Sequence, residues 1–176
     1  RSILIGHWDA EEYGIVGSVE YVEQFRVELT RGGVAYMNAD VSVSGPNPGA
    51  SASPSLKALL IAAAGVVPYP GTDHSVLERW NPPDSGRGEP GIGNLGGGSD
   101  HLGFYTHIGV PSAWSMMTGA SLYHSGYDDY AFFERFCDPE FVYGPTVARL
   151  QGIFALRLAN ADLIPYDVPR YATDLQ

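Results

Sequence analysis

Apolar residues recur along the chain in two ways, as short continuous runs and at three- and four-residue steps, and the alternation of the two predicts an α/β protein. The run Ile3-Leu4-Ile5-Gly6 predicts a first strand ending at His7-Trp8. Gly14 and Gly17 open a helix expected to continue through Thr30, with Val22, Phe25 and Leu29 on one face. Gly32-Gly33 stops it. Val34 to Asp40 reads as a second strand, and Gly45-Pro46-Asn47-Pro48-Gly49 as a turn cluster. Ser53-Pro54-Ser55 then starts a helix through Leu56, Leu59, Leu60 and Ala63, with proline near its first turn.

The pattern changes between Pro68 and Gly98, where prolines and glycines crowd together. A loop of that length inside a compact domain is functional or disordered, but Val76, Leu77 and Trp80 predict a packed segment within it. Beyond it, Asp100 to His107 predicts a helix, Pro111 to Met116 a strand, Tyr130 to Phe136 a helical turn or two, and Thr146 to Ala159 a long amphipathic helix. No internal repeat is visible.

Composition narrows the options. At 176 residues and 44% hydrophobic, the chain can bury one sizeable core in a single domain. A net charge of -10 argues against nucleic acid as partner, which rewards clustered Lys and Arg. Cys137 stands alone, so neither an internal disulfide nor a thiolate zinc cluster can form. No apolar run of about twenty residues is present to anchor the chain in a membrane.

The candidate chemistry begins at Trp8-Asp9-Ala10-Glu11-Glu12-Tyr13-Gly14. Two adjacent glutamates after an apolar run repel each other and lose hydration, and a divalent metal resolves both costs by taking one as ligand and leaving the other to move protons. The alternative is a helix N-terminus decorated with acids, which the macrodipole favours. Asp40 closes the second predicted strand, and His124 lies in the turn-rich stretch Ser121 to Tyr127. Carboxylates with an imidazole are zinc-type ligands, and strand ends of an open α/β sheet are where such folds gather their sites.

With Gly17-Ser18, Tyr36-Met37-Asn38-Ala39-Asp40, Leu95-Gly96-Gly97-Gly98-Ser99-Asp100, Leu122-Tyr123-His124-Ser125 and Asp138-Pro139 in the same order, the chain resembles the co-catalytic two-zinc peptidases of the glutamate carboxypeptidase II and transferrin receptor group. The resemblance implies a three-layer α/β fold, a sheet with helices on both faces, incomplete in this chain. Residues 1–158 would be the C-terminal part of the zinc-peptidase domain, and 159–176 the start of a helical dimerisation-like domain. The resemblance makes Glu11 the general base, Glu12 and His124 ligands of one zinc, and Asp40 a ligand of the other. The family's remaining histidine ligand and bridging aspartate lie upstream of the double glutamate and match nothing here, so the chain reads as a segment of a larger protein, inactive on its own.

The same resemblance assigns Gly98 and Ser99 to the substrate cleft, with Ser99 in place of the more typical asparagine, and Tyr123 to the tetrahedral intermediate. A phosphate-loop reading of the glycines fails for want of the lysine. Glu20 and Glu23 match glutamates that hold a structural calcium, although by periodicity alone they are a solvated acidic face. His7, His74, His101 and His107 match no ligand position. Trp114 and Met116 fall where glutamate-specific members carry paired arginines. The implied protein is a peptide-cleaving exopeptidase with two zincs and a possible calcium, a homodimer, membrane-anchored as a type II protein with its catalytic part outside the cytosol. The competing class is a receptor-like member of the fold that has lost its ligands, against which Glu11, Glu12, Asp40 and His124 all stand intact.

Overall fold

A computed structural model describes residues 1–175. Its sheet has three strands, β1 (Tyr36–Asn38), β2 (Asn47–Ala52) and β3 (Ser112–Thr118), in the order β1-β3-β2. β1 runs parallel to β3 with Tyr36 opposite Ser112, and β2 runs antiparallel to it with Asn47 opposite Thr118.

Strand side chains alternate between faces, and both faces are covered. Met37, Ala52 and Ala113 point to the side where helices α3 (Pro54–Ala64) and α6 (Tyr143–Asn160) pack. There Leu56, Leu60 and Phe154 are fully buried in the main core. Tyr36 points to the other side, against Val22 of α1 (Val16–Gln24) and Phe104, whose ring stacks on it at 4.2 Å. A sheet with helices on both faces fits the α/β class that the alternation of periods predicts and the layered arrangement that the resemblance implies.

Most expected elements are present. Pro54 sits in the first turn of α3 as foreseen. Val76 to Trp80 forms α4, whose Ser75 and Glu78 make a reciprocal capping box, so the long Pro/Gly stretch does contain a packed segment. The predicted helix at 100–107 ends in a wide π-type turn, Gly103–His107, and that at 130–136 as α5 (Tyr130–Phe132) followed by another, Phe133–Cys137. α6 begins earlier than predicted because Asp138, itself buried, accepts the backbone N–H groups of Val142, Tyr143 and Gly144 at 2.8 to 3.1 Å.

Three expectations are corrected. The run Ile3-Leu4-Ile5 is not a strand. It pairs with no described residue, its side chains are exposed, and the segment instead runs beside the end of α6, where the Arg1 guanidinium donates to the Leu158 carbonyl at 3.1 Å. An apolar run becomes a strand only where another strand offers its backbone groups. The helix predicted through Thr30 breaks at Phe25 into α1 and α2 (Arg26–Gly32); α2 fully buries none of its residues and touches the core through Leu29 alone among those described. In the turn cluster, Asn47, Pro48 and Gly49 belong to β2. Proline is tolerated because β2 is an edge strand.

Beyond α6 the chain turns back onto α3. The Asp167 N–H donates to the Ser55 carbonyl at 3.0 Å, and α7 (Arg170–Asp174) places Asp174 at 2.6 Å from the buried Lys57. Arg170 bridges Asp174 and Glu89. No helix among the described residues is long and apolar enough to cross a membrane.

Candidate active site

The double glutamate sits in a tight turn before α1. Ala10 is in left-handed backbone at φ 53° and Ile15 at φ 61°, and the Ile15 N–H donates to the Glu11 carbonyl at 2.7 Å. The turn folds against α1 so closely that a Cβ on Gly17 would come 2.5 Å from the Asp9 carbonyl oxygen, which explains glycine there. Ile15 is β-branched, a poor fit to positive φ, so the turn is strained. The same strain recurs at Val41, φ 40°, directly after Asp40, and at His124 itself, φ 58°. Each such residue costs about 1–3 kcal/mol, and clustering of this kind marks functional turns.

These strained turns bring the predicted residues together. His124 Nε2 lies 2.9 Å from Glu12 Oε1, although the two are 112 positions apart in sequence. Tyr123 stacks on the His124 ring at 3.7 Å. Glu11 is pushed above the usual carboxylate range, first by burial and then by the charges of Asp40, Glu12 and Asp100, with His124 pulling the other way. Tyr123 is also pushed up, by burial and then by Glu12, Asp40 and Glu11. Glu12, His124 and Tyr123 are in contact, and Glu11 and Asp40 are near enough for their charges to act on the same groups. The Glu12–His124 contact faces open surface: the two side chains are 65% and 52% exposed.

Glu12 and His124 have the donor chemistry of zinc ligands. Two ligands on one tetrahedral zinc, each about 2.0–2.1 Å from it, stand roughly 3.3 Å apart. The Glu12–His124 contact of 2.9 Å would need to open by only a few tenths of an ångström. Among the described residues no three His, Cys, Asp or Glu side chains converge as a metal-holding group, and the contact that does form is the Glu12–His124 pair.

Asp40 is held at both ends. Its backbone carbonyl accepts from Trp114 Nε1 at 2.7 Å, and its Oδ2 accepts from the Ser99 hydroxyl at 2.7 Å. Ser99 is wholly buried, and Gly98 before it is exposed at φ 93°. His101 is buried too, its Nε2 bonded to the Gly96 carbonyl at 2.7 Å. Asp100 accepts from Ser18 of α1 at 2.6 Å. Glu20 and Glu23 lie exposed on α1.

Sequence reasoning missed Asn38, Ser18 and Asp100 as parts of this framework. One signal was available for Asn38: it shares the strand phase of Tyr36, so a polar side chain stood where an inward one was due.

The sequence profile described as Peptidase family M28 matches residues 1–135. The chain belongs to that family. Over 178 residues it is 41% identical to a probable glutamate carboxypeptidase, LAMP1, of Arabidopsis thaliana, covering 100% of this chain and 26% of the relative. It is 38% identical to a probable glutamate carboxypeptidase of Arthroderma benhamiae, covering 99% of this chain and 25% of that protein. Mouse aminopeptidase NAALADL1 is 33% identical, with 100% and 26% covered. This M28 chain thus spans about a quarter of the length of these curated relatives.

Proposed function

We propose that the full-length protein is a co-catalytic two-zinc exopeptidase and that this chain carries its general base and three of its metal ligands. The reading rests above all on the contact between Glu12 and His124 at 2.9 Å, with Glu11 next to it in sequence and Asp40 held by Ser99 and Trp114. Glu12 and His124 would hold one ion and Asp40 would join the other, completed by residues elsewhere in the protein.

A bound metal pair supplies Lewis-acid activation of water and of the scissile carbonyl. Glu11 takes a proton from the attacking water and returns it to the leaving amine. Its raised affinity for protons is the direction a base needs near neutral pH. Tyr123 donates its phenol proton toward the developing oxyanion, a role supported by its stacking on His124. The Gly98 backbone, open and free of side chain, lines the path of the peptide. Glu20 and Glu23 contribute carboxylates to a calcium site completed outside this chain. Residues 159–176 lead into a helical domain through which the protein forms a homodimer, anchored in a membrane with its catalytic part outside the cytosol.

Metal analysis of the full-length protein tests this reading. Two zincs per chain are expected, peptide turnover should stop on chelation, and added Zn2+ should restore it. Undiminished turnover by metal-free protein would overturn the reading.

A further inference from the structure

Ser99 is fully buried, and its hydroxyl stands between two side chains: Asn38 Nδ2 at 2.8 Å and Asp40 Oδ2 at 2.7 Å. The direction of this chain of bonds is fixed by chemistry. An ionised carboxylate only accepts, so the single hydroxyl proton goes to Asp40, and the oxygen's lone pairs are left for the Asn38 amide. Asn38 is itself 1% exposed, so neither bond competes with water.

The geometry leaves Asp40 little freedom. Trp114 holds its backbone carbonyl, the strained Val41 follows it, and Ser99 occupies Oδ2, while Oδ1 has no protein hydrogen bond among the described residues. Ser99 is in turn carried on a segment pinned on either side, by the His101 bond to Gly96 and by the Ser18 bond to Asp100. Asp100 links that segment to α1, next to the glutamate turn, while Asn38 lies on β1. A hydroxyl so placed orients a carboxylate and has no face toward solvent with which to meet a peptide.

We propose that Ser99, backed by Asn38, is a positioning residue for Asp40: it ties down one carboxylate oxygen and so aims the other at the metal. This rests on the zinc-peptidase reading above. Groups that orient metal ligands in this way typically alter metal affinity or activity about 10–100-fold when removed.

The test uses the full-length protein, stripped of metal and titrated with Zn2+ alone against a competing chelator, alongside steady-state kinetics. Wild type should take up two ions. Ser99→Ala should weaken one of them about 10–100-fold and leave the other unchanged, with kcat reduced and KM little moved. Ser99→Cys, of nearly the same size with a weaker donor, should shift the same ion and serves if the alanine variant does not fold. Ser99→Thr, which keeps the hydroxyl, should restore most of the affinity. Asn38→Ala should act in the same direction more weakly, and the double variant should be no worse than Ser99→Ala, because both act through one hydroxyl. Two unchanged ions with a raised KM would overturn the assignment in favour of a substrate contact, with the peptidase reading intact. Wild type that binds no Zn2+ would overturn both.

Discussion

Both faces of the sheet carry an apolar cluster, but only one adds the hydrogen-bonded network of Asn38, Ser99 and Asp40. On the α3/α6 side, Leu56, Leu60, Ala63, Ala113 and Phe154 are buried with apolar neighbours, and hydrophobic burial alone accounts for their position. On the other side Asn38, Ser99 and His101 are just as buried, yet polar, and they are held by directed hydrogen bonds. Left-handed backbone is concentrated in the carboxylate-bearing turns at Ala10, Ile15 and Val41 and at His124, with Phe141 before α6 the one other non-glycine case among the described residues. The α3/α6 face supplies the larger apolar core, and the other combines a smaller one with the hydrogen-bonded network beside Asp40. Substitutions should therefore separate into those that change activity with the fold intact and those that do the reverse.

The largest separation is expected at Glu11. Glu11→Gln keeps shape and removes the base, so peptide turnover by the full-length protein should fall about 10²–10⁴-fold. Zinc content and melting temperature should stay near wild type. Glu12→Gln should instead lose zinc as well as turnover, since Glu12 meets His124 directly. Equal zinc loss in both variants would erase the distinction between base and ligand.

Phe154→Ala probes the opposite face. Truncating a fully buried aromatic costs about 3–5 kcal/mol of stability. Phe154 packs among α3 residues on the side away from the carboxylates. Denaturant unfolding should register the loss, while turnover per folded molecule stays within about twofold. A specific drop in kcat in the folded fraction would show that the two faces are coupled.

How much of this was legible in the sequence follows the same division. The apolar face could be read from periodicity, because Leu56, Leu59, Leu60 and Ala63 need only one another's spacing to declare a buried helix face. Glu11, Glu12, Asp40 and His124 were legible through ordered motifs, but their convergence was not, since left-handed turns at Ala10, Ile15, Val41 and His124 carry no glycine signature. Asn38 and Ser18 escaped because a polar residue on a buried phase does not name its partner, and their partners lie 61 and 82 positions away. Ile3 to Ile5 misled for the converse reason: hydrophobicity announces a strand without naming a neighbour for it.

A smaller effect is expected in substrate choice. Trp114 and Met116 lie on the β3 phase opposite Ala113, and the Trp114 indole N–H is already bound to the Asp40 carbonyl. Neither offers the bidentate cation that fixes a terminal glutamate side chain. Peptides ending in leucine should be turned over at least as well as those ending in glutamate, with differences within the roughly 10–200-fold range of apolar pocket discrimination. A strong glutamate preference in a paired assay would require a basic pocket built by other parts of the protein.

The smallest effect concerns the charged clasp behind the apolar face, where pH should act on stability in a defined direction. Asp174 is held below the usual carboxylate range by its hydrogen bonds to Lys57 and Arg170, outweighing a burial effect of opposite sign. Its folded pKa therefore lies below its unfolded one, so the clasp contributes fully above the unfolded value near 3.9 and is lost as pH falls through the lower, folded value. Lys57 is nearly inaccessible and Asp174 mostly so, with side chains 5% and 16% exposed, which places the pair between a surface bridge and a buried one. A contribution on the order of 1 kcal/mol follows for the pair. Asp174→Asn should lower the melting temperature of the full-length protein by about a degree at pH 7, and the gap to wild type should close as pH drops below about 4. A gap that persists unchanged at pH 3 would assign the loss to packing of α7 on α3 and not to charge.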